Sequence, residues 1–242
     1  MHFSSVRLRS ADGGSTGALA SFLSQNARAI GHSHHLIWSL FEKKGPERDV
    51  VYRMTGRGPS QPVLIYSAAE VADGHGLWDV RTRPFDLADG LRAGDRLTWS
   101  LRVNAVRSAN GPDPRPSQPE GAPKPRMRTS KHDIVTHARR SGDGRDWEAV
   151  AQRVVPPWLR ERLARGGMDA PEAGMVVEAF RKVRIAHDPG VRNRDPIVVA
   201  MTDLRGSGTV TDPEALRGLL LRGIGSARAY GCGMLLIKRA EG

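Results

Sequence analysis

The sequence predicts an α+β protein built from two β-α-β-β-α-β units in tandem, the ferredoxin-like (RRM-like) arrangement. Strand and helix patterns follow one another in this order on both sides of the segment 108–126, which is rich in proline, glycine and charge. Such a segment does not bury a core or run as a central strand, so we interpret it as a linker or a long exposed loop. The predicted domains are therefore residues 1–107 and 127–242, each long enough to form a core.

In the N-terminal half, the spacing of apolar residues predicts four strands and two helices. The strands are 3–9, 49–54, 62–67 and 95–106. The fourth is the clearest, because Leu97, Trp99 and Leu101 alternate with polar residues at the period expected of a half-buried strand. The helices are 15–29, capped by Ser15 or Thr16, and a weakly marked one near 87–91.

In the C-terminal half, the predicted strands are 127–131, 176–185, 197–201 and 233–238, of which the first is weak. One helical region covers 145–165, and the adjacent prolines at 156–157 are expected to break it. A second helix covers 213–221. It begins either with Asp212 as cap and Pro213 as first residue, or with a capping box of Thr211 and Glu214.

The charge of the chain indicates a polyanionic partner. Its 242 residues carry a net charge of +11 and a pI of about 10.7. Binding of such a chain to phosphates is favoured by counterion release, and arginine adds bidentate contacts and stacking on bases. A GC-rich genome would explain the preference for arginine over lysine, but not the net excess. Nucleic acid is therefore the first partner to consider, and a solvated basic surface is the alternative that it outweighs.

Several classes of protein are excluded by composition. Cys232 is the one cysteine, so neither an internal disulfide nor a cysteine-built metal site is expected, which fits the reducing cytoplasm. The first residues are too polar for a signal peptide, and no apolar run approaches the ~20 residues of a membrane helix. An aromatic content of 5% argues against a broad base-stacking platform. Trp99 and Trp158 are interpreted as core residues.

The most informative segment is 209–239, which reads as strand, capped helix, glycine-rich loop and strand. The loop contains four glycines and two arginines: Gly223, Gly225, Gly231, Gly233, Arg222 and Arg228. Glycine lets backbone amides approach a phosphate, so the loop is a candidate RNA-binding element. Structural interpretations stand beside this one. Gly223 suits a helix end, and Gly231 with Gly233 suits a tight entry to the last strand.

A nucleotide-dependent enzyme is the hypothesis that the glycines least support. A dinucleotide-binding G-x-G-x-x-G lies between a strand and the helix that follows it. Here the loop follows a helix and precedes a strand, and no P-loop sequence occurs anywhere in the chain.

Three segments resemble the CasE family, the CRISPR RNA-processing endoribonucleases of type I-E Cascade. The run TVTDPEALRGLLLRGIGSARAYGCGMLLIKR, at 209–239, is similar to that family's closing segment, and its part LLRGIGSARAYGCGMLLI is similar to the family's glycine-rich loop and last strand. The run HHLIWSLF, from His34 to Phe41, is similar to its His-x-x-Leu-Trp-x-Leu-Phe signature, with Ile37 in place of leucine. DRLTWSLRVNAVRS, at 95–108, resembles the strand that closes the family's first domain. The three segments come in the family's order and cover about a quarter of the chain.

This resemblance implies a fold, a reaction and a set of partners. It implies tandem ferredoxin-like domains and cleavage of CRISPR precursor RNA at the 3′ base of the repeat hairpin, without metal or cofactor. The upstream 2′-hydroxyl would attack the scissile phosphate and leave a 2′,3′-cyclic phosphate. The enzyme would then keep the crRNA and join the other Cascade subunits in the cytoplasm, with no membrane partner.

The histidines at 32, 34 and 35 are the candidates for acid–base chemistry. Imidazole titrates near neutrality and suits proton transfer to or from a ribose oxygen. Counting back from Trp38 in the resembling signature places the catalytic histidine at His34, with His32 as the alternative. Gly31 stands where some family members have a tyrosine. Without the resemblance, surface histidines at a helix end would be the preferred interpretation, and a metal pair is weakly supported.

Cations of the C-terminal half are expected to stabilise the transition state. The candidates are Lys182, Arg184, Arg192 and Arg194. Any one of them is equally well read as a solvated charge at a strand edge. The basic residues at 115, 124, 126, 128 and 131 are more simply read as solvated than as an RNA-wrapping arm. A non-catalytic RNA-hairpin-binding module of the same fold remains the alternative function.

Overall fold

A computed structural model describes residues 1–9, 37–38, 40–41, 49–56, 61–74, 76–112, 127–142, 146–185 and 197–240. The strands of these residues are β1 (His2–Leu8), β2 (Val50–Met54), β3 (Val63–Ser67), β4 (Trp78–Pro84), β5 (Arg96–Val103), β6 (Val106–Pro112), β7 (Met127–Asp133), β8 (Met168–Asp169), β9 (Val176–Ile185), β10 (Ile197–Val210) and β11 (Leu235–Arg239). The helices are α1 (Asp86–Asp89), α2 (Ile134–Arg140), α3 (Trp147–Arg165) and α4 (Pro213–Arg222), with 3-10 turns at Glu172–Gly174 and Arg228–Tyr230.

The N-terminal sheet has the strand order β2-β3-β1-β4, with antiparallel pairs throughout. The predicted strands at 3–9, 49–54 and 62–67 are confirmed as β1, β2 and β3. The fourth strand is β4 and not 95–106, which corrects the predicted order. The sequence of β4, WDVRTRP, carries too many charges for an apolar alternation to show. The predicted helix at 15–29 lies outside the described residues.

The two faces of the N-terminal sheet bury different apolar groups. Val6, Ile65 and Tyr52 lie on one face and pack with Ile37 and Leu40. On the opposite face, Phe3, Tyr66 and Val51 join the large core of the C-terminal half. Because side chains alternate along each strand, both sets come from the same three strands.

The C-terminal sheet repeats the same strand order around β5. Its order is β11-β5-β10, with β9 and β8 both paired to β10. The succession β5, α3, β9, β10, α4, β11 is a complete β-α-β-β-α-β unit. The predicted division at residue 107 is therefore corrected. The strand predicted at 95–106 opens the second unit instead of closing the first, and 127–131 is not the first strand of that unit.

Strands β6 and β7 form a separate two-stranded ribbon inserted between β5 and α3. The ribbon corrects the interpretation of 108–126 as a linker or long exposed loop at its start, because residues 108–112 belong to β6. Proline and glycine are tolerated there because, among the strands that the structure describes, β6 pairs with β7 alone and its other edge is open. Residues 113–126 lie outside the described part of the chain. Helix α2, which follows the ribbon, was not predicted.

Helix α3 runs without a break through Pro156 and Pro157, contrary to the prediction. Two prolines remove the N–H groups that would bind the carbonyls of Gln152 and Arg153. Both of these residues are exposed, so solvent reaches this side of the helix. On the other side of the helix, Trp158 is fully buried and its indole Nε1 donates to the Val106 carbonyl at 3.0 Å. Packing therefore outweighs the cost of the prolines.

Helix α4 begins at Pro213 with Asp212 as its cap. The Asp212 carboxylate accepts from the amides of Glu214 and Ala215, each at 3.0 Å. Of the two predicted starts, the Asp-Pro one is confirmed. In the described part of the chain, none of the helices is long and apolar enough to span a membrane.

A small apolar cluster lies between β9, β10 and the loop after α4. It contains Ile185, Val199, Met201 and Cys232, all buried. Burial raises the pKa of the Cys232 thiol to about 12. The thiol is therefore a core group and not a nucleophile at neutral pH.

The unbroken helix α3 predicts that Pro157→Ala stabilises the protein. The alanine N–H restores the bond to the Arg153 carbonyl, and the exposed site leaves no cavity. A gain of about 1 kcal/mol is expected, since alanine also loses more entropy on folding. Urea unfolding measures the difference. Pro213→Ala is the matched control, because proline at the first helical position is favourable, and it should be slightly destabilising. Lower stability for Pro157→Ala would show that the helix does not need the missing bond.

Candidate nucleic-acid interface

A groove of about 870 Å³ opens between the ribbon end, α2, the β9–β10 pair and the loop after α4. Four cations line it: Lys131, Arg140, Lys182 and Arg184. Asp133 is the one acid among the described residues that line it. The groove thus brings together two of the predicted cations, Lys182 and Arg184, and its excess positive charge suits a polyanion.

Lys182 is held in place by an aromatic residue. Its Nζ lies 4.0 Å from the centroid of Trp147, and the Arg139 guanidinium lies 3.8 Å from the same centroid. Trp147 also stacks on Phe180 with centroids 5.2 Å apart. Loss of water around the ammonium lowers the pKa of Lys182, and the nearby Asp133 carboxylate acts against this. Trp147 therefore positions cations and is not a free stacking surface.

Asp133 has a structural partner of its own. Its carboxylate caps α2 by accepting from the Thr136 amide at 2.7 Å. Burial raises the pKa of Asp133, while this hydrogen bond and Lys182 work in the opposite direction. The acid in the groove is thus engaged by the protein, which leaves the cations to face a ligand.

At three glycines of the loop, a Cβ atom would lie too close to neighbouring protein atoms. A Cβ on Gly225 would lie 2.7 Å from the Asn104 carbonyl oxygen, and one on Gly233 would lie 2.8 Å from that of Ile224. A Cβ on Gly223 would lie 2.9 Å from Val51. All three have positive φ, between 70° and 96°. Gly223 and Gly225 are therefore needed for close packing against β2 and the end of β5, and Gly233 is needed for packing within the loop.

The structural interpretations of the glycines find support in the backbone. Gly223 ends α4, and its N–H donates to the Leu219 carbonyl at 2.8 Å. Gly233 donates to the Arg102 carbonyl at 2.7 Å, at the entry to β11. Gly231 is buried and has a φ of 77°. Its Cβ position lies 3.6 Å from the Met54 amide.

The loop is fastened to both sheets. The Ser226 amide donates to the Asn104 carbonyl at 3.1 Å, and the Tyr52 hydroxyl donates to the Ala229 carbonyl. As a result, Ser226, Ala227 and Tyr230 stand at the rim of the groove. The predicted arginines Arg222 and Arg228 are both exposed, but neither belongs to the groove lining. Arg228 donates to the Arg222 carbonyl, so the two lie together on the outer side of the loop.

A charged cluster joins the two sheets behind the loop. Asp203 is buried and accepts from Arg102 at 2.7 and 3.2 Å and from Arg181. The Arg53 guanidinium lies 4.0 Å from the same carboxylate and donates to the Ser100 hydroxyl at 3.1 Å. Burial, together with Arg102, lowers the pKa of Arg53.

Sequence reasoning missed this cluster. An aspartate within the apolar run of β10 was the available signal, because a buried carboxylate requires partners. Its three arginines come from β2, β5 and β9, and nothing in their spacing reveals that these strands meet.

Several predicted site residues lie outside the described part of the chain. They are Gly31, His32, His34, Arg192 and Arg194. Arg192 and Arg194 fall in the connection between β9 and β10, the two strands that supply Lys182, Arg184 and one wall of the groove.

A family model described as CRISPR associated protein matches residues 1–239. The chain is similar to Cas6e from Escherichia coli str. K-12, with 18% identity, a TM-score of 0.60 and 99% and 100% of the two chains covered. It is similar to CRISPR endoribonuclease Cse3 bound to 19 nt RNA, with 20% identity, a TM-score of 0.64 and 98% and 100% covered. It is also similar to a chain of a CRISPR RNA-guided surveillance complex, with 17% identity, a TM-score of 0.60 and 99% and 100% of the two chains covered. No curated protein matches. At these identities the likeness shows the fold, which confirms the predicted tandem ferredoxin-like architecture.

The close approach of Gly225 to β5 predicts a large cost for Gly225→Ala. The substitution adds strain at positive φ, about 1 kcal/mol, and a clash with Asn104 and Val103 worth about 2 kcal/mol more. Gly94→Ala is the matched control, because Gly94 has a φ of 91° and open space around its Cβ position. Urea unfolding should show the larger loss for Gly225→Ala. Equal losses would mean that backbone conformation alone requires the glycine.

The cluster predicts that Asp203→Asn destabilises the protein by about 3 kcal/mol, because it leaves three partly buried guanidiniums without the carboxylate that they share. Glu172→Gln provides the comparison, since Glu172 forms an exposed pair with Arg160 at 3.3 Å. That change should cost under about 1 kcal/mol. Chemical denaturation of both variants tests this. A similar, small loss of stability in both variants would show that the cluster does not stabilise the fold.

Proposed function

The chain belongs to the CRISPR-associated protein family, and from this premise we propose that it is an endoribonuclease that processes CRISPR precursor RNA. It cuts at the 3′ base of the repeat hairpin and needs neither metal nor cofactor. The upstream 2′-hydroxyl attacks the scissile phosphate and leaves a 2′,3′-cyclic phosphate. The protein then stays on the crRNA as a Cascade subunit in the cytoplasm.

The observation that carries this proposal is the basic groove beside the glycine-rich loop. Lys182 and Arg184 line it together with Ser226 and Tyr230 of the loop. Two elements singled out by the sequence thus meet at one surface of excess positive charge. Support also comes from the similar proteins, one named as a CRISPR endoribonuclease bound to RNA and one a chain of a CRISPR RNA-guided surveillance complex.

The chemistry calls for a proton-transfer group and for cations. His34, with His32 as the alternative, takes the proton of the 2′-hydroxyl or supplies one to the leaving 5′-oxygen. Negative charge builds up on the phosphate in the transition state, and fixed cations stabilise it. Lys182 and Arg184 are suited to this, since Lys182 is held against Trp147. Arg192 and Arg194 follow them in the chain.

The glycine-rich loop contributes binding and not chemistry in this proposal. Arg222 and Arg228 lie exposed on its outer side and contact hairpin phosphates, which position the RNA without reading its sequence. Gly223, Gly225, Gly231 and Gly233 shape the loop that presents them.

A second candidate function is a non-catalytic module that binds the RNA hairpin. One observation favours it, namely Gly31 at the position where some members of the resembling family have a tyrosine. Binding through the groove and the loop would remain, and cleavage would be absent.

Cleavage of repeat RNA in EDTA tests the proposal. The substrate is the repeat from the CRISPR array of the protein's own genome, with a parallel RNA carrying a 2′-deoxy nucleotide just upstream of the cut. We expect one cut that ends in a cyclic phosphate. It should be absent with the deoxy RNA and slower by about 10²–10⁴-fold in His34→Ala.

The companion variant His32→Ala separates the two histidines. Retained activity in His34→Ala with loss in His32→Ala would assign the role to His32. Tight, salt-sensitive binding without a cut would overturn the nuclease and favour the binding module.

A further inference from the structure

The floor of the groove carries an exposed apolar side chain between cations. Val198 is 52% exposed and Ile197 is 39% exposed, and both line the groove. Val198 lies opposite Arg184 in the β9–β10 pair, and Ala200 lies opposite Lys182. Paired residues of neighbouring strands project from the same face. An apolar surface and two cations therefore alternate along one side of the groove.

This alternation matches an unpaired nucleotide better than a duplex. In a helical stem the faces of the bases are covered by their neighbours, and the backbone offers phosphates and sugars. An unpaired nucleotide presents a flat apolar base face together with its phosphate. Duplex RNA would satisfy Lys182 and Arg184 but would leave Val198 without a matching surface.

The size and position of the groove agree with a short strand. Its volume of about 870 Å³ is that of a site for a small ligand, which suits a few nucleotides. Its rim is formed by Ser226, Ala227 and Tyr230, so a strand in the groove leads directly to the glycine-rich loop. Tyr230 adds a half-buried aromatic ring at that end.

We propose that the groove binds unpaired nucleotides that flank the repeat hairpin, with their bases on Val198 and their phosphates on Lys182 and Arg184. This inference rests on the proposed function and names the part of the RNA that each surface takes. The loop contacts the paired stem, and the groove holds the single strand that continues from it.

The test compares the affinities of four RNAs for the full chain. They are the repeat hairpin alone, the hairpin with three native nucleotides added on its 5′ side, the same on its 3′ side, and the better extension with abasic sites. Fluorescence anisotropy should show a gain of about fivefold or more from one extension, most of it lost with abasic sites. The salt dependence of log K should steepen by about 0.7 for each added phosphate contact.

Matched variants locate this gain in the groove. Val198→Ser should reduce the gain from the extension, while Val176→Ser, which removes an equally apolar exposed side chain outside the groove, should not. Lys182→Gln should remove about 0.7 of the salt slope. Arg165→Gln, at an exposed arginine at the end of α3, should leave the slope unchanged.

The outcomes separate this inference from the proposed function. Equal affinity for hairpin and extended RNA, or an abasic extension as good as an intact one, overturns the inference while hairpin binding and cleavage stand. Equal effects of Val198→Ser and Val176→Ser also overturn it. Failure to bind any of the four RNAs overturns the proposed function, and the inference with it.

Discussion

The buried carboxylate of Asp203 is the contact on which the arrangement of this protein depends. It accepts hydrogen bonds from Arg102 of β5 and Arg181 of β9, and Arg53 of β2 approaches from the other sheet. A buried charge is costly unless its partners are fixed, so the cluster requires the two sheets to meet at one position. Arg102 also donates to the Met54 carbonyl at 3.2 Å, which adds a second connection to β2.

The contact between the two sheets at the Asp203 cluster also positions the loop after α4. It bonds to the backbone at Arg102 of β5 and at Asn104, which follows β5, and it contacts β2 through Tyr52. Its glycines allow that close approach, and its other residues form the rim of the groove. The cluster holds three guanidiniums against one carboxylate, and this excess adds to the positive field around the groove.

Sequence patterns predicted most elements but not how they pair. The alternation of apolar and polar residues predicts β5 clearly, but it does not indicate which strands pair with it. The prediction therefore placed β5 in the first unit, whereas it pairs with β10 and β11 of the second. The prolines at 156–157 predict a break in the helix, because local propensity takes no account of the burial of Trp158. Strand β4 was not predicted, because its charged residues interrupt the alternation of apolar and polar positions. In the site, Lys182 and the loop were predicted separately, and the fold brings them to one groove. The glycines were predicted both as part of an RNA-binding loop and as structural residues, and at three of them protein atoms lie where a Cβ would stand.

Crosslinking tests most directly the claim that RNA lies along the groove and the loop. The full chain would be irradiated in complex with its repeat RNA, and the crosslinked peptides identified by mass spectrometry. We predict crosslinks in β9 and β10 near Lys182 and Val198 and in the loop near Tyr230, the aromatic residue at the rim. Crosslinks confined to the outer side of α3 or to β4, with none in the groove or loop, would contradict the account.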